Sequence, residues 1–293
     1  MKKFYYLTIL VLSLTMISCN KKAESNLGVD KQIVPSNSSM QLSESFAELQ
    51  SNLMELNHSV EDSSPRTRSI FRWLLVGISD AVGAACGFEI GGIAGAVILG
   101  GAASTAAIVE FKPQDYLCDF ITNQEREEDT ENAILSSASY RDVIRVGVQH
   151  NMLIRSLIEN KSEDIVNMSS EELLEAFGDE AANNEIDNSV IEVLSTINLS
   201  ELIFNPESEE TLDAFINRLC DGFPDISQEL IVLKTVLDGI DMAQADQDAF
   251  DYTAHAMQII SASSIEEESK ATLLCGTSVA FESKLLWNLT PKN

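Results

Sequence analysis

The chain is poor in basic residues and in histidine. It has 19 Lys and Arg against 46 Asp and Glu, a net charge of −27, and only 3 His in 293 residues. From Pro113 onward, 10 basic residues face 36 acidic ones, whereas residues 1–112 carry 9 basic against 10 acidic residues. Such a surface repels phosphates, which excludes nucleic acid as a partner. Cationic partners and divalent ions are compatible with it, but we favour a solvated surface that keeps the protein soluble.

The chain also lacks the motifs of the common catalytic sites. It contains no His-Glu-x-x-His and no Gly-x-Ser-x-Gly, and no Lys-Ser or Lys-Thr follows Gly83 and Gly87 to make a phosphate-binding loop. His150 and Asn151 beside a cysteine would suit a thiol site, but a helix-capping or core-bonded histidine is the simpler interpretation. We therefore expect no enzyme activity and no cofactor.

Four aspartates near residue 245 invite comparison with a calcium site. Their spacing lacks the glycine turn and the terminal glutamate of an EF-hand, which favours a solvated acidic helix and no metal. The residues are Asp241, Asp246, Asp248 and Asp251.

The N-terminus has the three parts of an export signal. Lys2 and Lys3 precede an uncharged run of 14 residues, Phe4 to Ile17, which is too short to cross a hydrocarbon core of about 30 Å. The following Ser18-Cys19 completes a segment, Met16 to Cys19, that resembles the lipobox of bacterial lipoproteins. That resemblance implies cleavage before Cys19 and acylation of its thiol. A plain secretory signal with an incidental cysteine is the alternative.

Once Cys19 is assigned to a lipid anchor, four widely spaced cysteines remain, with no Cys-x-x-Cys pair among them. An oxidising compartment permits two disulfides between them, with three possible connectivities. Small buried thiols are the alternative, and we favour it slightly. The four are Cys86, Cys118, Cys220 and Cys275.

Hydrophobic periodicity divides the chain and indicates its fold class. An apolar seam from Leu42 to Val60 recurs at helical spacing, helix patterns repeat beyond Pro113, and alternating strand patterns are scarce. The predicted fold is all-α, an irregular helical bundle with a glycine-zipper helix or helical hairpin. The predicted segments are a signal peptide (1–18), a flexible tether (19–39), an amphipathic helix (40–62), the glycine-zipper segment (66–112) and an acidic helical domain (113–293).

Capping residues predict where individual helices begin and end. Ser169 and Glu172 have the spacing of a capping box, and Gly178 stands where a C-cap would end that helix. The last helix is predicted to begin at Ser263 or Ser264 and to end near Trp287.

The glycine-rich segment is the least ordinary part of the chain. Gly83, Gly87, Gly91 and Gly95 are spaced by four, which on one helix forms a stripe that lets another backbone approach closely. Eight glycines at helical positions cost about 6–8 kcal/mol relative to alanine, so close packing or lipid must compensate. We favour a buried helical hairpin over conditional membrane insertion, and either over a constitutive membrane helix, because Asp80 and Glu89 would be costly at bilayer depth.

Three motifs resemble a group of uncharacterised glycine-zipper lipoproteins of Bacteroidota. They are Asp80 to Ala84 at the entry to the zipper, Gly147 to Asn151, and a Ser- and aromatic-rich turn from Ser278 to Trp287. The resemblance supports an architecture and implies no activity.

These observations predict a lipid-anchored protein of the bacterial cell envelope, on its periplasmic or outer-membrane face, held to the membrane through Cys19. A protein partner, not identified by the sequence, is compatible with this prediction. The preferred function is a non-enzymatic helical interaction or structural module. The alternative is a membrane-active protein, pore-forming or bacteriocin-like, that inserts its glycine-zipper segment.

Overall fold

The computed structural model describes residues 42–61, 72–111, 140–165, 167–204, 210–243 and 245–287. All of them belong to one unit, Leu42–Asn293. The predicted signal peptide, the tether with Cys19, and Cys118 lie outside the described residues. The α-helices are α1 (Glu44–Glu61), α2 (Arg72–Phe111), α3 (Arg141–Ile144), α4 (Val146–Ile165), α5 (Ser170–Asn183), α6 (Ile191–Leu194), α7 (Leu212–Gly222), α8 (Ser227–Met242), α9 (Asp246–Ala262) and α10 (Glu267–Trp287). The predicted all-α fold, an irregular helical bundle, is confirmed in the described part of the chain.

Helices α2 and α10 form the centre of the bundle. Most of α10 is buried, polar residues included, because α2, α4, α8 and α9 all pack against it. A helix at the surface would keep one polar face in water, so the burial of α10 marks it as a core helix. Helix α2 lies along α10 and also contacts α4, α5, α6 and the short 3-10 helix Leu199–Glu201.

Helix α1 docks through its predicted apolar seam. Phe46, Leu49 and Leu53 are buried, and the helix packs against α8 and α9. Its observed bounds, Glu44–Glu61, fall within the predicted range 40–62.

A buried polar group also joins these three helices. The Nδ2 of Asn57 in α1 donates to the carbonyl oxygen of Thr235 in α8 at 2.8 Å. Its Oδ1 accepts from the hydroxyl of Tyr252 in α9 at 2.7 Å. We call these three residues the Asn57 cluster.

The predicted start of α5 is confirmed and its predicted end is wrong. The Ser169 hydroxyl accepts from the N–H of Glu172 at 3.2 Å, and the Glu172 carboxylate accepts from the N–H of Ser169 at 2.7 Å. The helix then continues through Gly178 to Asn183. A Cβ on Gly178 would lie 2.5 Å from the side chain of Ile191, so this glycine makes room for a neighbour inside the helix.

Candidate functional site

Helix α2 is a hairpin of two antiparallel arms. Helical geometry breaks at Gly91 (φ −143°, ψ 20°) and Gly92 (φ 59°, ψ −146°), which separates residues 72–90 from 93–111. The positive φ of Gly92 is a conformation that residues with a Cβ rarely adopt. Of the two forms predicted for the glycine-zipper segment, the chain therefore adopts the hairpin.

The closest contact between the arms is made by two of the predicted glycines. A Cβ on Gly87 would lie 2.2 Å from the carbonyl oxygen of Gly95, and a Cβ on Gly95 would lie 2.2 Å from that of Gly87. Further from the turn, a Cβ on Gly83 would lie 3.0 Å from the carbonyl oxygen of Leu99 and 2.9 Å from Cβ of Ala103. The arms therefore pack backbone against backbone, which only glycine permits at Gly87 and Gly95.

Gly91 lies away from this contact. It is part of the turn, and a Cβ there would lie 2.7 Å from Cγ1 of Val190, just before α6. The four regularly spaced glycines therefore do not share one helix face. Gly83 and Gly87 are on the first arm, Gly95 is on the second, and Gly91 packs against a different element.

Two further glycines, outside the predicted set, let the hairpin pack closely against α5 and α4. A Cβ on Gly101 would lie 2.6 Å from the ring of Phe177 in α5. A Cβ on Gly100 would lie 3.2 Å from Cδ2 of His150 in α4. The second arm thus offers small residues to the first arm and to the surrounding helices.

The turn end of the hairpin reaches the surface. Phe88, Ile90 and Ile93 are half-buried and Glu89 is exposed. Desolvation raises the pKa of Glu89, and the carboxylates of Glu268, Glu229 and Asp225 raise it further. The range Val76–Glu110 has the length and apolar composition of a membrane span, and most of it is buried inside the bundle.

A buried polar site lies further down the first arm, centred on Asp80. Its Oδ2 accepts from the hydroxyl of Ser283 and from Nε1 of Trp287 at 3.2 Å, both in α10. The Nε2 of His150, in α4, lies 3.8 Å from the same oxygen. Asp80, His150 and Ser283 have no exposed surface and Trp287 is 3% exposed. We call these four residues the Asp80 cluster.

The same region ties α4 to α10. The Nδ1 of His150 lies 3.0 Å from Oδ1 of Asn151, whose Nδ2 donates to the carbonyl oxygen of Glu282 at 2.9 Å. One turn earlier, the N–H of Gly147 donates to the hydroxyl of Ser278 at 3.2 Å. The three motifs of the predicted resemblance, Asp80 to Ala84, Gly147 to Asn151 and Ser278 to Trp287, therefore meet at one place in the fold.

Burial controls the electrostatics of the Asp80 cluster. Desolvation raises the pKa of Asp80 to about 7, against the lowering effect of Ser283, Ser104 and Trp287. Desolvation lowers the pKa of His150 to about 4, against the raising effect of Asn151 and the backbone of Gly100. Both shifts favour the neutral forms. Because these side chains are enclosed, a substrate would not reach them. The site therefore suits a structural role.

The cysteines in the described residues are free thiols. Cys86, Cys220 and Cys275 are buried and unbridged, as in the interpretation that we favoured slightly over disulfides. Burial raises the pKa of each thiol, that of Cys220 to about 11. Thiolate nucleophiles are disfavoured under these conditions, and the hydrogen bonds of His150 run to Asn151 and not to sulfur.

Three of the four aspartates considered for calcium act electrostatically on a cation of the protein itself, Lys284. Lys284 is 2% exposed, and its Nζ donates to the carbonyl oxygens of Ile240, at 2.6 Å, and Ala243 at the end of α8. Asp246, Asp248 and Asp251 are exposed and Asp241 is half-buried. Desolvation lowers the pKa of Lys284 to about 8, against the raising effect of Asp241, Asp246 and Asp248.

The sequence singles out three of the four members of the Asp80 cluster without joining them: Asp80 as an obstacle to membrane insertion, His150 as a core histidine and Trp287 as the end of a helix. Ser283 lies inside the third motif and is not singled out. The available signal was that each lies in one of the three short motifs. In comparisons with known proteins, the chain matches no protein-family model, no curated protein and no solved structure.

Proposed function

We propose that this chain is a lipid-anchored protein of the bacterial cell envelope whose helical body is a non-enzymatic interaction or structural module. The observation that carries the second half of the proposal is the seating of the hairpin. Gly91, Gly100 and Gly101 receive side chains from the body, so the glycine-rich segment serves as a core element of the bundle. The lipobox-like segment ending at Cys19 supports the first half.

The charge distribution supports a soluble module held beside a membrane. The acidic part of the chain would stay dissolved, and a tether over 19–39 would let it stand off the lipid surface. Two or more acyl chains on Cys19 would provide stable attachment, because each buried methylene contributes about 0.8 kcal/mol.

The anchor is tested by mass spectrometry of the protein purified from bacterial membranes. We expect a mature chain that begins at Cys19 and carries the added mass of a diacylglyceryl group. Cys19→Ala should remain uncleaved and unacylated. A wild-type chain with Met1 intact, or a mature terminus without lipid, would contradict the proposal.

One observation favours the second candidate, membrane insertion of the hairpin. The contact of Gly87 with Gly95 lies within the hairpin and would persist if both arms left the bundle together. Each arm has 19 residues and spans roughly 28 Å as a helix, close to the thickness of a hydrocarbon core.

A disulfide across the turn separates the two candidates. The position of a Cβ on Gly91 lies 3.0 Å from Cβ of Val190, slightly closer than the usual 3.5–4.5 Å of a disulfide. A Gly91→Cys, Val190→Cys chain carrying Cys118→Ser should therefore form a bond that pins the hairpin to the body. The two single-cysteine chains are the controls.

The measurement is release of dye from liposomes by the oxidised and reduced forms. The structural module predicts no release from either form. Release by the reduced form and by both controls, but not by the oxidised form, would overturn the module and establish the membrane-active candidate.

A further inference from the structure

The Asp80 cluster contains two buried polar atoms that lack a well-formed hydrogen bond, Oδ1 of Asp80 and Nε2 of His150. Ser104 and the backbone of Gly100 nevertheless act on the pKa values of Asp80 and His150, respectively. The separation of 3.8 Å between Nε2 and Oδ2 is too long for a hydrogen bond. It is short enough for the charge of either group to act strongly on the other.

Enclosure limits the number of protons that the pair can hold. With no proton the pair carries a buried negative charge, and with two protons it carries a buried positive charge. Either state is costly away from water. With one proton the pair is neutral overall, whether the proton lies on Asp80 or on His150. Such a pair titrates as a unit.

In the unfolded chain, the same two side chains also hold one proton between them over a wide pH range. Between about pH 4 and pH 6.5, a solvated aspartate is ionised and a solvated histidine is protonated. The two side chains together again hold one proton.

We propose that Asp80 and His150 form a proton-compensated pair, which lets the hairpin dock on α4 and α10 without taking up or releasing a proton in the mildly acidic range. Protonation of this pair therefore does not undock the hairpin between about pH 4 and pH 6.5. This goes beyond the proposed function, and it also removes protonation of this site as a trigger for membrane insertion.

The directions of the two pKa shifts predict opposite effects of pH on stability, and these effects cancel. The raised pKa of Asp80 means that the folded chain keeps a proton which the unfolded chain loses above pH 4, so Asp80 alone makes stability fall as pH rises to about 7. The lowered pKa of His150 means that the unfolded chain binds a proton at this residue and the folded chain does not. His150 alone therefore makes stability fall as pH drops from 6.5 to about 4. The slopes are equal and opposite where they overlap.

Five charged side chains on the helices around the hairpin make other contacts or are exposed. Glu282 of α10 accepts from Asn151, and Lys284 of α10 binds carbonyl oxygens of α8. Glu180 of α5 accepts from Ser156, Glu229 of α8 lies near Glu89 at the turn, and Glu201 of the 3-10 helix is exposed.

The test is a set of four full chains: wild type, Asp80→Asn, His150→Asn and the double variant. The unfolding equilibrium constant of each is measured by denaturant titration from pH 4 to pH 7.5 and divided by that of the double variant. This ratio removes the pH dependence of the many other carboxylates.

We expect the ratio for wild type to be nearly flat from pH 4 to 6.5. For His150→Asn it should rise about tenfold per unit as pH increases, and for Asp80→Asn about tenfold per unit as pH decreases. His255→Asn, at an exposed position, is the control and should leave the wild-type profile unchanged. A wild-type ratio that slopes like either single variant would overturn the proposal.

A second measurement covers the case in which a single variant fails to fold. Ring signals of His150 are followed by NMR in the wild-type chain between pH 6.5 and 4.5. Unchanged His150 signals are expected. A titration of His150 within this range would overturn the pair.

Discussion

The two buried polar clusters of this protein differ in chemistry. The Asn57 cluster joins α1, α8 and α9 through neutral groups, and both ends of its amide are hydrogen-bonded. The Asp80 cluster joins the hairpin to α4 and α10 through ionisable groups, and two of its polar atoms lack a well-formed hydrogen bond. A neutral, satisfied cluster fixes the arrangement of helices independently of pH. An ionisable cluster can do so only if its charges compensate, as we propose for Asp80 and His150.

Glycine permits close packing both at the Asn57 cluster and between the arms of the hairpin, but the neighbours differ. A Cβ on Gly239 would lie 2.1 Å from the hydroxyl oxygen of Tyr252 and 2.3 Å from Oδ1 of Asn57, which are the ends of side chains. A Cβ on Gly87 would meet the backbone of Gly95. Side-chain ends can move and a helical backbone cannot, so the hairpin tolerates less change than the α1–α8–α9 group.

The largest expected effect is that of Gly87→Ala. The added methyl group must separate the arms or distort the carbonyl of Gly95, and we expect a loss of about 4 kcal/mol or more in the free energy of unfolding. Denaturant titration measures it. The matched control is Gly222→Ala, because a Cβ at that position meets no atom within 4 Å, and a change of about 0.5 kcal/mol or less is expected there. Equal effects of the two substitutions would contradict the close contact of the arms.

A smaller loss is expected from Asn57→Ala. It leaves the Tyr252 hydroxyl and the Thr235 carbonyl oxygen without their partner, at a cost of about 2–4 kcal/mol. Because no charge changes, the loss should be the same at pH 5 and pH 8. A loss that varied between these pH values by more than about 1 kcal/mol would show that the cluster is coupled to titration.

The smallest expected difference is how the loss of stability changes with pH when one hydrogen-bond donor is removed from each cluster. Tyr252→Phe removes the hydroxyl that donates to Asn57, and a loss of about 1 kcal/mol, independent of pH, is expected. Trp287→Phe removes an N–H that lowers the pKa of Asp80, so its loss should be larger above pH 7, where the carboxyl ionises, than at pH 5. Thermal unfolding of both variants at pH 5 and above pH 7 measures these losses of stability. Equal pH dependence in the two variants would erase the distinction between the clusters.

Local patterns account for the helices that were predicted correctly. The seam of α1 and the capping box at Ser169 depend on residues close in sequence, and both are observed. Gly178 was misjudged because its neighbour Ile191 comes from another element. The hairpin turn has a local signal, the Gly91-Gly92 pair, since adjacent glycines favour turns. The regular spacing of Gly83, Gly87, Gly91 and Gly95 instead predicted one glycine stripe on a single helix.

The Asp80 cluster could not be assembled from the sequence. Asp80, His150 and Ser283 are separated by tens of residues in the chain, and only the packing of α4 and α10 around the first arm joins them. Their pKa shifts follow from enclosure, which composition and periodicity do not report. The motifs marked all three segments as unusual, without indicating that they meet.

A structural module requires the hairpin to be a permanent part of the core. Hydrogen exchange followed by mass spectrometry, with and without lipid vesicles at pH 5 and pH 7, tests this directly. We predict that the backbone amides of the two arms, residues 76–87 and 95–109, are protected as strongly as those of α10 under all four conditions. Fast exchange in both arms while α10 stays protected, or a change in the arms alone when vesicles are added, would contradict it.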